Sequence, residues 1–173
     1  FRGQFREALA ALVPVSYWRL DEVNGTVAAD ELRVVNGTYT SSPTIGEPSL
    51  LGSGEGYACE FDGATDYVTM GDVYDFAGAA PFSVLALINL DALPAARAPI
   101  LTKFATDLGD PRGWALYVDN LGIVKVVRDD AATLTTASSA TAIIAGKTAL
   151  VVATFDGSLL RAYLAGTGGT AVT

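Results

Sequence analysis

Nineteen carboxylates, eleven cationic side chains and no histidine bound the chemistry open to this chain. Without histidine, a Ser-His-Asp nucleophile, the commonest general base and the commonest transition-metal ligand are all missing. Carboxylate pairs are the remaining route to catalysis. Glycoside hydrolysis needs two carboxyl groups facing a cleft, ~5–5.5 Å apart for retention and farther apart for inversion. The glutamates Glu7, Glu22, Glu31, Glu47, Glu55 and Glu60 supply no pair at i+4 on one strand. Asp129 and Asp130 are adjacent, so they point to opposite faces of a strand. The chain is therefore expected not to be an enzyme.

Binding remains. Sugar recognition uses exposed aromatic faces beside polar groups. Tyr117 shares its strand face with Asp119, and Tyr163 shares its face with Arg161. Tyr117, Tyr163 and Arg161 are therefore the candidate ligand-binding residues. Trp114 and Leu160 fall on the opposite, core-like faces. Cys59 is the only cysteine, which leaves no intrachain disulfide and no Cys-based zinc site. In the expected strand Tyr57-Ala58-Cys59-Glu60-Phe61 it shares a face with Tyr57 and Phe61. That makes it a small buried apolar residue rather than a reactive thiol.

The elements that position these residues follow from patterning. A chain of 173 residues, half of them apolar, fits one domain and can bury a sizeable core. Net charge of −8 argues against nucleic-acid and anionic-membrane partners and serves solubility. No apolar run reaches the ~18 residues of a membrane span; the stretch 143–155 is broken by Gly146 and Lys147. The N-terminus carries no long apolar core of a signal peptide.

Residues 4–12 read as a short helix, with Phe5, Ala8, Leu9 and Leu12 on one stripe and Pro14 as its stop. From Val15 onward the pattern is β. Val15, Tyr17 and Arg19 alternate with Ser16, Trp18 and Leu20. Asn24-Gly25 and Asn36-Gly37 read as turns, and 41–56, rich in Ser, Pro and Gly, as a long surface loop. Strands are expected at 57–61, 66–70, 82–90, 99–104, 113–119, 122–128, 132–137, 148–155 and 158–164, with 82–90 central and covered on both sides. Asp62-Gly63, Asn120-Leu121-Gly122 and Asp156-Gly157 punctuate them. No ten-residue amphipathic helix intervenes, which excludes a βαβ architecture. The expected core is Trp18, Phe61, Phe82, Leu85, Trp114, Leu116, Val152, Phe155 and Leu160.

Several blocks in order resemble one family. They are Tyr17-Trp18-Arg19-Leu20-Asp21-Glu22, Asn24-Gly25-Thr26, Ala29-Asp30, Asn36-Gly37-Thr38-Tyr39, Phe61-Asp62-Gly63 with Asp66-Tyr67-Val68, Pro81-Phe82-Ser83-Val84, Ala153-Thr154-Phe155-Asp156-Gly157-Ser158 and Tyr163-Leu164-Ala165-Gly166. Together, over about residues 14–166, they look like a laminin-G-like domain of bacterial or phage type, in the concanavalin A-like lectin/glucanase class. The family often places a tryptophan soon after the Phe-Thr strand start; here Ala86, Leu87 and Ile88 occupy that stretch. Family members also continue past the late hairpin with further strands, whereas this chain ends at Thr173.

The resemblance implies an all-β fold: an antiparallel two-sheet jelly-roll sandwich over 14–173, preceded by a helical linker over 1–13, with its C-terminal strands supplied elsewhere. It also implies a structural Ca2+ at the sandwich rim, for which Asp66, Asp62 and Asp30 are the candidate ligands; the plainer reading is that Asp62-Gly63 is a turn and Asp30 a loop cap. No other cofactor is required. The implied function is a non-catalytic adhesion module of extracellular or virion-surface location, binding cell-surface or environmental glycans. Its host is a tail, fibre or capsid, or a secreted bacterial protein. Two alternatives stand beside it. One is a structural decoration module that contacts neighbouring virion or fibre proteins. The other is a carbohydrate-binding accessory to a secreted hydrolase. In each case the chain is part of a larger polypeptide or oligomer, without nucleic-acid binding or membrane insertion.

Overall fold

The computed structural model describes residues 2–52, 54–104, 112–130 and 132–166. Among these are one helix and twelve strands, every paired strand antiparallel. They fall into two compact units, Phe1–Asp72 and Val73–Thr173.

The first unit holds α1 (Arg2–Ala11), β1 (Val27–Ala28), β2 (Gly37–Thr40), β3 (Thr44–Pro48), β4 (Tyr57–Glu60) and β5 (Tyr67–Thr69). Its sheets are small, ordered β1-β2-β5 and β3-β4. Helix α1 matches its expected place. The alternating segment from Val15 to Leu20 is not a strand. Leu20 has φ +53°, the Tyr17 N–H donates to the Asp30 carboxylate, and only an isolated bridge joins Trp18 to Asp30. The stretch 41–56 is not all loop, because β3 pairs with β4 across a bulge between Ile45 and Glu47. Gly46 there has φ +85°, the left-handed conformation a bulge needs. Gly37 is no turn residue either. It opens β2, and a Cβ there would stand 2.5 Å from Val68 Cγ1, so it is a close-approach glycine.

The second unit contains β6 (Phe82–Ile88), β7 (Ala98–Phe104), β8 (Gly113–Val118), β9 (Ile123–Asp129), β10 (Leu134–Ala142), β11 (Ala149–Phe155) and β12 (Leu160–Gly166). They form a four-stranded sheet, β10-β9-β8-β7, and a three-stranded sheet, β12-β11-β6. Strands lie close to where alternation and turn spacing put them, except that β10 runs on to Ala142, past its expected end at 137. The two sheets share one core: Trp114, Leu116, Val118, Val124 and Val126 from the first, Phe82, Val151, Ala153, Phe155, Leu160 and Leu164 from the second. This is a sandwich-like arrangement with a period of two. In β11, Ala149, Val151, Ala153 and Phe155 are buried while Leu150, Val152 and Thr154 are half-buried.

That period corrects the expected core. Phe82, Trp114, Leu116, Phe155 and Leu160 are buried. Val152 and Leu85 pair with each other on the opposite face and are half-buried. Phe61 is 37% exposed and Trp18 half-buried. Strand β6 is apolar on both faces, yet it pairs only with β11 among the described residues, so it is not central. At one end of the core the aromatics gather. Phe76 stacks on Phe82 at 4.6 Å, Trp114 lies 5.6 Å and Phe155 5.9 Å from Phe82, and Trp114 Nε1 donates to the Tyr74 carbonyl at 2.9 Å.

Candidate functional site

Strand β9 turns Val124, Val126 and Arg128 to the same face, so its alternation delivers a guanidinium where another valine would pack. Arg128 is 7% exposed, level with Trp114 on β8 and Thr135 on β10. Its carbon Cζ stands 4.6 Å from the Phe155 ring centroid, a cation–π contact in a desolvated place. Burying this charge requires partners. Arg128 Nη1 donates to Asp130 Oδ2 at 3.3 Å, and Nη2 donates to the Gly78 carbonyl. A guanidinium carries five N–H donors, and these bonds engage two of its nitrogens. No buried side-chain nitrogen or oxygen among the described residues lacks a partner.

Two turns flank it. Asp130 Oδ1 accepts from the N–H groups of Thr133 at 2.8 Å and Ala132 at 3.1 Å. These bonds, with Arg128 adding to them, hold its carboxyl below the usual range. Across the opening, Asp156 Oδ2 accepts from Arg161 at 2.8 Å, while its Oδ1 accepts from the N–H groups of Ser158 and Leu159 at 3.0 and 2.8 Å. The Arg161 bond first, then the backbone donors, hold the Asp156 carboxyl far below its ordinary value. Gly157 has φ +100°, and a Cβ there would lie 3.0 Å from the Ala79 carbonyl; the turn closes this tightly only with glycine.

Between these turns lies a shallow cleft of about 260 Å³. Arg128, Asp130, Thr133, Thr135, Phe155 and Ser158 line it, with the backbone of Gly78, Ala79 and Gly157 at its edge. Among the described residues, Asp130 is the only carboxylate in that lining. The cleft brings together a fixed cation, an acceptor carboxylate and three hydroxyls, of which Ser158's donates to Asp156 Oδ1 at 3.0 Å and so is left to accept. Chemically, such a set can hydrogen-bond the oxygens of a ligand. The signal in the sequence is a cation at a core-facing position of a strand, two residues after Val126.

The candidate ligand residues are not brought together here. Tyr117 lies on the outer face of the four-stranded sheet, half-buried under Arg97, whose Cζ is 5.3 Å from its ring. Asp119 pairs with Lys125 at 2.9 Å and caps the β8–β9 turn through the N–H groups of Leu121 and Ile123. Arg161 and Tyr163 lie on β12, on the face of the three-stranded sheet away from the core. Tyr163 is 38% exposed, and Arg161 is held by Asp156. The three residues thus sit on two different sheets.

The candidate metal ligands are turn and loop caps. Asp62 Oδ1 accepts from the N–H groups of Ala64, Thr65 and Asp66 at 2.8, 2.8 and 3.0 Å, and Asp66 Oδ2 accepts from Asp62 N–H at 3.2 Å. Asp30 is 3% exposed and takes four backbone N–H groups, from Tyr17 (2.9 Å), Leu32 (3.0 Å), Val34 (3.1 Å) and Val35 (3.0 Å). Burial raises its pKa, and these bonds outweigh burial and hold the carboxyl far below the usual range. Among the described residues, no group of three or more His, Cys, Asp or Glu side chains is arranged to hold a metal.

Cys59 is half-buried, while its expected neighbours Tyr57 and Phe61 are exposed. Burial first, then the charges of Asp66, Glu22 and Glu60, push its thiol up to about 11. Tyr39 is held protonated by burial and by its 2.6 Å hydrogen bond to Glu22. No protein-family model, curated protein or solved structure matches the chain.

Proposed function

We propose that this chain is a non-catalytic binding module that holds saccharide at the Arg128 cleft, displayed on the exterior of a virion or of a secreted bacterial protein. The observation that carries the reading is the cleft's composition: among the described residues, a buried cation, three hydroxyls and a single carboxylate around one small space. A glycosidase would need a second carboxyl group facing that space; among the described residues Asp156, across the opening, is taken up by Arg161 and backbone N–H groups and does not line it. The volume of about 260 Å³ lies below the range of drug-sized pockets, which suits one sugar ring. A single site of this size binds weakly, and multivalent display raises the avidity. The two antiparallel sheets of Val73–Thr173 support, as part of this proposal, the jelly-roll architecture that the laminin-G-like resemblance implies.

A glycan array probed with the multimerised chain, beside a hydrolysis assay on the same glycans, tests the reading. Array binding without turnover is the expected result; turnover by the purified chain would overturn it. One observation favours a second reading, structural decoration through protein contacts. An apolar groove of about 250 Å³ runs beside α1, lined by Leu9, Ala10, Val13, Pro14, Tyr17 and Leu32, with Val13 81% exposed. Silence on the array, with tight binding to a tail, fibre or capsid protein, selects that reading.

A further inference from the structure

We propose that the Arg128 cleft discriminates by charge, taking a neutral sugar through a vicinal diol, one hydroxyl of which bridges Arg128 and Asp130, and rejecting acidic sugars. This inference rests on the saccharide-binding reading above. Arg128 is a donor only and ionised Asp130 an acceptor only, and they stand side by side, 3.3 Å apart at Nη1 and Oδ2. A hydroxyl group can satisfy both at once, accepting from the guanidinium while donating to the carboxylate. Its neighbour on the adjacent ring carbon can donate to Ser158 Oγ, whose own hydrogen is given to Asp156 Oδ1 at 3.0 Å, or meet the Thr135 hydroxyl, which donates or accepts.

A uronate or sulfate would bring only acceptors to the same place. It would face the Asp130 carboxylate with no proton between them, and it would have to displace Asp130 to reach the cation. Among the described residues, the charges around the cleft give it no surplus of positive potential. Arg128 is matched by Asp130 and Arg161 by Asp156, in a chain of net charge −8. Burial makes the selection sharper. With the Arg128 side chain 9% exposed, water replaces a poorly matched ligand group only in part. A sugar lacking one hydroxyl of the diol leaves a polar partner unmatched at a partly desolvated site.

The test is a 1H–15N NMR titration of the full chain with the neutral probes methyl α-D-mannopyranoside, methyl β-D-galactopyranoside and methyl β-D-glucopyranoside, and with methyl β-D-glucuronide. The expected result is that at least one neutral glycoside shifts the Arg128 Nε–H, Thr133 and Ser158 resonances, with the glucuronide at least about tenfold weaker. Asp130→Asn keeps an oxygen for the turn cap and should bring the glucuronide level with the neutral sugar or ahead of it. Thr135→Val, a second and milder change, should weaken the neutral sugar without changing that order. Equal affinity of the intact chain for acid and neutral probes would overturn the proposal. So would glycoside shifts confined to other residues, such as Tyr163, which leave the saccharide-binding reading standing. An absence of any shift overturns it as well, and the array result then decides whether the broader reading falls too.

Discussion

In the unit Val73–Thr173, Leu116, Val118, Val124, Val126 and Val151 are sealed from water, whereas in Phe1–Asp72 the buried apolar side chains among the described residues are Ala28, Tyr39 and Pro43. The first unit leaves Leu12, Val13, Val15, Val23, Val27 and Val34 at least half exposed. What orders it instead is a set of carboxylates aimed at the backbone: Asp30 gathers the N–H groups of residues 17, 32, 34 and 35, and Asp62 those of 64, 65 and 66. Glu22 accepts from the Ala29 N–H at 2.7 Å and from the Tyr39 hydroxyl. One unit is held by apolar burial, which is indifferent to pH, and the other by charge-assisted hydrogen bonds, which are not. The cleft sits on the unit with the rigid core, where strands and tight turns fix its side chains.

The largest break in this comparison should come from the core. Trp114→Ala or Phe155→Ala should each cost ~3–5 kcal/mol by denaturant unfolding. A change below ~1 kcal/mol would mean that these rings do not face the core. Next comes Asp30→Ala, which strands four backbone N–H groups around one buried position. It should cost about 3 kcal/mol or more, with the lost hydrogen-exchange protection concentrated in residues 17–35.

Acid should separate the two units more gently. A folded Asp30 carboxyl held far below its unfolded value of ~3.9 means that the unfolded chain binds more protons as pH falls. Stability is therefore full above about pH 5 and declines as pH drops through 4 toward the folded value. Amide exchange between pH 6 and 3 should show residues 17, 32, 34 and 35 losing protection before those of β8, β9 and β11. The smallest effect is at Cys59. Its raised pKa predicts slow labelling by a disulfide reagent at pH 7–8, and labelling at the rate of a free thiol would place it in a different environment.

How far each unit could be read from sequence follows the same division. Strands such as β8, β9, β11 and β12 announce themselves because burial on one face enforces alternation, β6 shows as a continuous apolar run, and Asp-Gly and Asn-x-Gly turns punctuate them. The first unit hides its order. Val15 to Leu20 alternates like a strand, but its amide at Tyr17 is claimed by Asp30 thirteen residues on, a contact that leaves no local period. Gly37 resembles a turn glycine until the contact with Val68 is known. The carboxylates Asp30 and Asp62 were legible as loop and turn caps, which is how the structure uses them. The cleft was only half legible. Asp156-Gly157-Ser158 marks its rim, but Arg128 becomes notable only once β9 has a core face. Tyr117 and Tyr163 share no sheet because alternation fixes each residue's face and says nothing about which strands lie side by side.

The most direct test of the account is hydrogen exchange of the full chain with and without saturating neutral methyl glycoside. The account predicts added protection at the turns that frame the cleft, around residues 78–80, 132–135 and 156–159, and none within Phe1–Asp72. Protection that appears in the first unit, along the groove lined by Leu9, Val13 and Leu32, with the cleft turns unchanged, would contradict it.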